Sequence, residues 1–266
     1  MSYFGFLLSF LVSPILILLF LNRRAGGDST YRFISMKLWR GILIHVFLAV
    51  AYTTPWDNYL VATGVWYYKP ELVSGFLLGY VPIEEYTFFV LETILAGLWL
   101  WFLSKRISPP RKFKPLNKVR FIASLILMMI WACFVFQLFS RDRTLIYLSL
   151  ILVWALPAIL PQLLFGADIL WHHRKLVLLT ILPLSVCLSM MDALAVSLHI
   201  WTIDPAQSTG LMLGALPIEE AVFFLITNML IGFGLTLLVV KESSVRLREL
   251  RQTMGHIWGI LKEDLV

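Results

Sequence analysis

Charged residues are scarce in this chain. Only 14% of its 266 residues are Asp, Glu, Lys or Arg, against about 25% in soluble domains. Hydrophobic residues make up 59%, so the composition excludes an ordinary soluble protein and indicates a polytopic membrane protein. The net charge of +6 comes from basic residues clustered in short stretches between apolar runs, which is typical of membrane orientation and argues against nucleic-acid binding.

Several features that would define other functions are also missing. The two cysteines, Cys133 and Cys187, both lie in apolar runs, so no disulfide framework is predicted. The chain has no GxGxxG segment between a strand and a helix, which argues against a nicotinamide or flavin domain. It has no HxxxH or HxxE spacing for a metal site, and no DDxxD motif of the kind that magnesium-dependent prenyl transferases use. We therefore expect neither a cofactor nor a metal.

Long apolar runs are what the chain has instead. A helix needs about 20 apolar residues to cross a bilayer, and seven runs qualify: 3–21, 38–56, 75–103, 119–139, 144–165, 175–201 and 210–240. The third and seventh exceed this length, which indicates tilt or an extension outside the membrane. The first lacks a basic n-region and a cleavage pattern, and is interpreted as a retained span. The predicted fold is all-α, with seven transmembrane helices.

Loop charge predicts the orientation of these spans. One set of loops holds the basic residues Arg23, Arg24, Arg32, Lys37, Arg40, Lys105, Arg106, Arg111, Lys112, Lys114, Lys118, Arg174 and Lys175, whereas the opposite set holds Lys69, Arg141 and Arg143. The positive-inside rule then places the protein in the cell membrane with its N-terminus outside and its C-terminus in the cytoplasm. Residues 241–266 form either an amphipathic helix on the inner membrane surface or a plain cytoplasmic tail.

The chain contains an internal repeat with an offset of 135 residues. Between positions 57 and 97, 15 of 41 residues are identical to those 135 positions later. Matched pairs include Asp57 with Asp192, Trp66 with Trp201, Pro82 with Pro217, Glu84 with Glu219, Glu85 with Glu220, Phe88 with Phe223 and Phe89 with Phe224. The predicted organisation is a first three-helix repeat (1–104), a basic loop and linker helix (105–143), a second repeat (144–240) and a tail (241–266). With one linking span, the repeats run parallel, about an axis along the membrane normal.

The repeated motifs "VPIEEYTFF" and "LPIEEAVFF" place two carboxylates each inside an apolar run. Adjacent glutamates on a helix are about 100° apart, so one of each pair is expected to point into a shared cavity while the other holds it in place. Intramembrane ionisable residues usually mark function, and no Lys or Arg lies in either motif-bearing span. Burial and like charge favour the protonated form, which makes these groups potential proton donors. The alternative is that they only tie helices together.

The duplicated PIEE-x-x-FF motif resembles the membrane-integral lycopene β-cyclases, which lack flavin motifs. The resemblance covers nearly the whole chain and maps the family's P-x-E-E pattern onto Pro82, Glu84 and Glu85, and onto Pro217, Glu219 and Glu220. It implies an enzyme that closes β-rings on lycopene or another linear carotenoid entering from the lipid. One departure is that Asn58 follows the first aspartate whereas Ala193 follows the second, so the two motifs are expected to be unequal.

Acid-initiated cyclisation of a carotenoid requires an acid, a base and a dry cavity. The predicted catalytic residues are Glu84, Glu85, Glu219 and Glu220, with Asp57 and Asp192 positioning them. Aromatic faces stabilise cations, and the predicted substrate-binding residues are Phe88, Phe89, Phe223, Phe224, Trp66 and Trp201. A carotenoid hydratase and a proton-coupled transporter remain alternatives, and the sequence leaves open β- against ε-ring formation, one against two active sites, and the oligomeric state.

Overall fold

The computed structural model describes residues 1–24, 38–110, 112–140 and 143–263, with side chains described as far as residue 255. Its helices are α1 (Tyr3–Arg24), α2 (Leu38–Ala62), α3 (Ile83–Ser104), α4 (Asn117–Leu138), α5 (Ile146–His172), α6 (Arg174–Ser197), α7 (Ile218–Val239) and α8 (Lys241–Glu263). The first seven are long and apolar enough to cross a membrane. The predicted all-α membrane fold with seven spans is therefore confirmed.

The two longest apolar runs each divide into a hairpin and a helix. Their strands are β2 (Leu77–Leu78) with β3 (Val81–Pro82), and β5 (Met212–Leu213) with β6 (Leu216–Pro217). Gly79 and Gly214 have φ values of 71° and 66°, as tight two-residue hairpin turns require. The excess length is thus an extension and not a longer helix. Pro82 and Pro217 end the strands, and each helix begins one residue later.

Two further strands join the halves of the chain. Strand β1 (Trp66–Tyr68) pairs antiparallel with β4 (Trp201–Ile203), and Tyr67 lies opposite Thr202. Tyr67 and Thr202 are matched by the 135-residue offset, so exchanging the repeats maps this ladder onto itself. That is the pattern of a local two-fold axis through the ladder, and it supports the predicted parallel repeats.

The central helices of the bundle are α3 and α7. In the most apolar stretch of each, 61% of residues are buried inside the protein, whereas the corresponding share for α4 is 6%. Since α4 packs mainly against α5, it lies at the periphery with most of its surface available to lipid. This position suits the predicted linker span.

The first helices of the two predicted repeats match at a different offset. Buried residues recur every four positions in α1 at Tyr3, Leu7, Leu11 and Ile15, and in α5 at Tyr147, Ile151, Ala155 and Ile159. Such spacing keeps the side chains on one helix face. Tyr147 follows Tyr3 by 144 residues, nine more than the offset of 135. An alignment of the complete repeats therefore needs a gap of nine residues between the first helix and the motif.

Helix α8 is anchored to α5 by a buried ion pair. Arg246 donates to both carboxylate oxygens of Asp168, at 2.7 Å each, and to the carbonyl oxygen of Phe165 at 2.6 Å. Gly166 departs from helical geometry at this point (φ −151°, ψ 28°), which leaves the neighbouring carbonyl free to accept. The tail therefore begins as a docked helix. The side chains of Ile257, Trp258, Leu261 and Leu265, and the loop residues Arg32, Lys37, Arg111 and Arg141, lie outside the described residues.

This ion pair predicts a large stability difference between two neighbouring arginines. Arg246→Met leaves the Asp168 carboxylate buried without its cation, which typically costs about 3–5 kcal/mol. Arg248 is exposed, so Arg248→Met is the matched control and should unfold close to the wild-type temperature. Thermal unfolding of the detergent-solubilised variants measures the difference, and equal midpoints for the two would contradict the anchoring role.

Candidate active site

Four glutamates lie in the first turns of the two central helices. Glu84 and Glu85 open α3, and Glu219 and Glu220 open α7. All four are buried, with exposed fractions of 6% or less. Helix N-termini carry a partial positive charge that stabilises nearby anions, which offsets part of the cost of removing these groups from water.

The first glutamate of each motif holds a loop. Glu84 Oε1 accepts the backbone N–H of Ser74 at 2.6 Å, and Glu219 Oε1 accepts that of Thr209, also at 2.6 Å. In both repeats the donor lies ten residues before the acceptor, at the start of the segment leading into the hairpin. Each of these carboxyls therefore fastens the connection between two spans over its own helix.

The second glutamate of each motif faces a common chamber between the repeats. Glu85 Oε2 accepts hydrogen bonds from the hydroxyls of Tyr3 (2.6 Å) and Tyr68 (3.0 Å). Glu220 Oε1 accepts one from the hydroxyl of Tyr147. Glu85 and Glu220 line the same small cavity, so the structure brings together one carboxyl from each half of the chain. One glutamate of each pair thus lines a shared cavity, whereas the other binds a loop N–H and not its neighbouring glutamate.

Asp57 and Asp192 are buried, with exposed fractions of 0% and 2%, and Asp192 belongs to the lining of the chamber whereas Asp57 does not. Among the described residues, no N–H or O–H donor reaches an oxygen of either side chain in good hydrogen-bond geometry. Asp192 lines the chamber together with Trp201 and with the carboxyl of Glu220. Two buried carboxyls in so small a space, with no Lys or Arg among the residues that line it, favour the form in which one of them keeps its proton.

Aromatic side chains form the walls of the chamber. Five of the six predicted aromatic residues line it: Trp66, Phe88, Trp201, Phe223 and Phe224. Its volume is about 20 Å³, little more than one water molecule needs. A larger molecule can enter only if these side chains move. The sixth residue, Phe89, lies in a neighbouring cavity that it shares with Phe223.

That neighbouring cavity is much larger, at about 320 Å³. Its walls come from α2, α3, α5 and α7 and are mostly apolar: His45, Leu48, Ala49, Tyr52, Thr53, Phe89, Glu92, Thr93, Trp154, Ala158, Pro161, Gln162, Phe223, Thr227, Leu230 and Ile231. Thr227 donates a hydrogen bond to Glu92 across α3 and α7 at 3.1 Å. Glu92 thus joins two helices at the cavity wall.

Sequence reasoning missed several chamber residues. Tyr3 and Tyr147 are not matched at the 135-residue offset, and Tyr68 has Ile203 as its counterpart. Trp56 precedes the predicted Asp57 and stacks on Trp154 with ring centroids 4.4 Å apart. The signal that could have found Tyr3 and Tyr147 is the buried four-residue spacing of α1 and α5, because a gapped comparison of the repeats aligns them.

The residues that follow the two aspartates, Asn58 and Ala193, differ between the repeats and lie outside the chamber. Asn58 accepts the backbone N–H of Tyr80 at 2.8 Å and donates to the hydroxyl of Tyr86 at 2.8 Å. All three have alanine as their counterpart in the second repeat, at positions 193, 215 and 221. The first hairpin is therefore tied down by polar bonds that the second one lacks.

A cluster of possible ligands lies at the other end of the bundle. Ligating atoms of His172, His173 and Glu242 lie within 4.8 Å of one another. His173 Nε2 is 3.1 Å from Glu242 Oε2, and this hydrogen bond lowers the pKa of the Glu242 carboxyl from its ordinary value. The contact joins the start of α8 to the α5–α6 junction. It is separated from the chamber by the length of the spans.

The burial of Asp192 and Glu220 in the lining of one small chamber predicts a protonated carboxyl at neutral pH. Infrared spectra of the purified protein should contain the C=O stretch of a buried carboxylic acid that exchanges slowly in heavy water. Glu220→Gln or Asp192→Asn should remove or shift this band, because either change breaks the proton-sharing pair. Glu71→Gln, at an exposed position, should leave it unchanged. A band that survives in both chamber variants would show that the pair does not share a proton.

Comparison with known proteins gives consistent matches over most of the chain. A family model described as lycopene cyclase matches residues 2–103 and 143–238. A lycopene beta-cyclase of Halobacterium salinarum is 36% identical over 236 residues, which cover 89% of this chain and 95% of that protein. A bifunctional lycopene cyclase/phytoene synthase of Podospora anserina is 34% identical over 206 residues, 73% of this chain but 34% of that longer protein. No solved structure gives a significant match.

Proposed function

This chain belongs to the lycopene cyclase family, and we propose that it is an enzyme that converts linear ends of lycopene into β-rings inside the membrane. The observation that carries the proposal is the single aromatic chamber between the repeats, into which Glu85 and Glu220 both project. It combines two carboxyls for acid–base chemistry with walls that exclude water. No feature of the residues that the structure describes favours the hydratase or the transporter.

The reaction moves one proton in and one proton out. An acid protonates the terminal double bond of the carotenoid, which leaves a tertiary carbocation. The π electrons of a nearby double bond attack this cation and close a six-membered ring, so the positive charge moves to a ring carbon. A base then removes a proton next to that carbon and the ring double bond forms. The product is an isomer of the substrate, and no step consumes a redox equivalent.

Glu220 is the better candidate for the acid. It lines the chamber together with Asp192. Such a pair of buried carboxyls favours one retained proton, which is then available in the chamber without bulk water. Tyr147 donates to the other side of the Glu220 carboxyl and orients it. Asp192 then acts as a positioning residue that keeps the proton on the pair until a double bond reaches it.

Glu85 is the better candidate for the base. Two phenolic hydroxyls, of Tyr3 and Tyr68, converge on its Oε2, and hydrogen bonds donated to a carboxylate stabilise its charged form. A negative charge in this position also attracts the developing cation. Because Glu85 and Glu220 line one cavity, the proton that Glu85 removes can return to Glu220 within the chamber before the next turnover.

The aromatic walls suit the cationic intermediate. Ring faces attract positive charge, and this attraction contributes about 2 kcal/mol or more where water is excluded. Trp66, Trp201 and Phe223 line the chamber together with the two glutamates. These rings supply attraction without a lone pair that would trap the cation, which favours ring closure over addition of water.

The remaining expectations on topology are part of the same proposal. We propose a cell-membrane location with the hairpins outside and α8 in the cytoplasm, and the division into repeats at 1–104 and 144–240 joined by residues 105–143, followed by the tail 241–266. The charge distribution between loops supports the first, and the symmetric β1–β4 ladder supports the second. The substrate is a linear carotenoid that enters from the lipid.

Labelling of single cysteines tests the orientation. In a Cys133→Ser, Cys187→Ser background, a membrane-impermeant maleimide added to intact cells should label Ser74→Cys, which lies next to a hairpin, and not Ser108→Cys in the α3–α4 loop. After permeabilisation both should be labelled. The reverse pattern in intact cells would overturn the proposed orientation.

Glutamine substitutions separate the two kinds of glutamate. Glutamine keeps size and hydrogen bonding but cannot transfer a proton, and general acid–base groups typically contribute 10²–10⁴-fold. We expect Glu85→Gln and Glu220→Gln each to reduce ring formation by about this factor. Glu84→Gln and Glu219→Gln retain an oxygen for the loop N–H and should lose less than about tenfold. Pigment analysis of lycopene-producing bacteria that express each variant measures the yield.

The amounts of folded protein in the membrane must be matched in this comparison, and thermal unfolding of the purified variants provides that control. Near wild-type yields from both Glu85→Gln and Glu220→Gln would show that these carboxyls are structural. Wild-type protein that forms no cyclic pigment at all would reject the proposed function itself.

A further inference from the structure

The larger cavity adjoins the chamber and follows α7 from Phe223 to Ile231. Phe223 lines both spaces, and the cavity extends as far as Ile231. At a rise of 1.5 Å per residue, the distance along α7 from Glu220 to Ile231 is about 16 Å. At its rim, Leu48 and Tyr52 are 51% and 43% exposed, so the cavity opens sideways toward lipid.

Three rings of the cavity wall, of Tyr52, Trp154 and Phe223, belong to an aromatic stack that the ring of Trp56 completes. Ring centroids are 5.8 Å apart for Tyr52 and Trp154, 4.4 Å for Trp154 and Trp56, and 5.8 Å for Trp56 and Phe223. These four rings are stacked nearly parallel, with interplanar angles of 24° or less. A flat conjugated chain makes good dispersion contacts with such a surface.

The corresponding space on the other side of the chamber is closed. The 135-residue offset exchanges Thr53 with Leu188, Phe89 with Phe224 and Phe223 with Phe88. Leu188, Phe224 and Phe88 line a space of about 10 Å³, against 320 Å³ for the larger cavity.

Individual substitutions account for this difference. Ala49 and Thr53 on the open side are replaced by Leu184 and Leu188, which are both buried. In addition, Ser185 Oγ donates to the carbonyl oxygen of Phe224 at 3.2 Å and ties α6 to α7. The matched residue on α2 is Val50, which has no hydroxyl to do so.

We propose that the larger cavity is the binding site for the polyene chain behind the end being cyclised, and that it is the one arm of the chamber that admits such a chain. This rests on the proposed function and specifies its substrate site. One end of the carotenoid then reaches Glu85 and Glu220 while the chain lies along α7. Closure of the second ring then requires the monocyclic product to leave, turn end for end and bind again. Both rings are therefore formed in a single site, to which both repeats contribute residues.

Filling the cavity tests the location of the chain. In a Glu85→Gln background, which retains substrate without turnover, binding of lycopene is followed by the shift of its visible absorption in detergent micelles. Ala49→Leu, which introduces the residue of the closed side, and Ala158→Phe should each weaken binding roughly tenfold or more, since added atoms displace the chain. Val186→Phe adds bulk on the exposed outer face of α6 and should bind as its parent does. Unchanged binding in both filled variants, or equal loss in Val186→Phe, would overturn the proposal.

Product order gives a second test that does not depend on mutants. With purified wild-type protein and excess lycopene, the monocyclic product should accumulate first, and the bicyclic product should appear after a lag. Labelled monocyclic product added at the start should be incorporated into the bicyclic product in proportion to its share of the free pool. Bicyclic product that forms without a lag and without incorporating label would overturn the single-arm site. Absence of any ring product would instead reject the proposed function.

Discussion

A carboxyl group inside a membrane must either stay neutral or find enough donors to hold its charge, and this constraint explains most of the site. The first glutamate of each motif takes its donor from the backbone of a loop and so folds that loop over the helix. The second takes phenolic donors from α1 and β1 in one repeat and from α5 in the other. The positions of three different elements thus depend on where two carboxyls are buried.

The sequence was informative where a residue type is costly and repeated. Burying polar groups in lipid is costly. Because of this cost, the sequence alone identified the spans, the ungapped match of the repeats and the six carboxylates. Five of the six predicted aromatic residues lie around the chamber. Tyr3, Tyr147, Trp56 and Trp154 were not predicted, because an aromatic residue in an apolar helix carries no sign of which face it occupies. The gap that separates the first helices of the repeats hid the tyrosines further.

The fold combines symmetric chemistry with asymmetric access. Duplicated motifs deliver an equivalent glutamate and aspartate to each side of one chamber, yet the side chains that differ between repeats make the two sides unequal in donors and in space. Asp192 lines the chamber together with Glu220, whereas Glu85 has a second tyrosine as a donor. A few substitutions, such as alanine to leucine between positions 49 and 184, suffice for this because a packed core has little free volume to share.

The ladder between β1 and β4 also bears on how such a molecule assembles. Each three-residue strand taken alone would present an unpaired row of N–H and C=O groups, and each half of the chamber would expose a buried carboxyl. The surface on which the two parts of the chain meet is thus also the surface that forms the chamber. Covalent continuity through the peripheral α4 raises the effective concentration of these two parts. Contact between them and formation of the chamber are therefore coupled in this architecture.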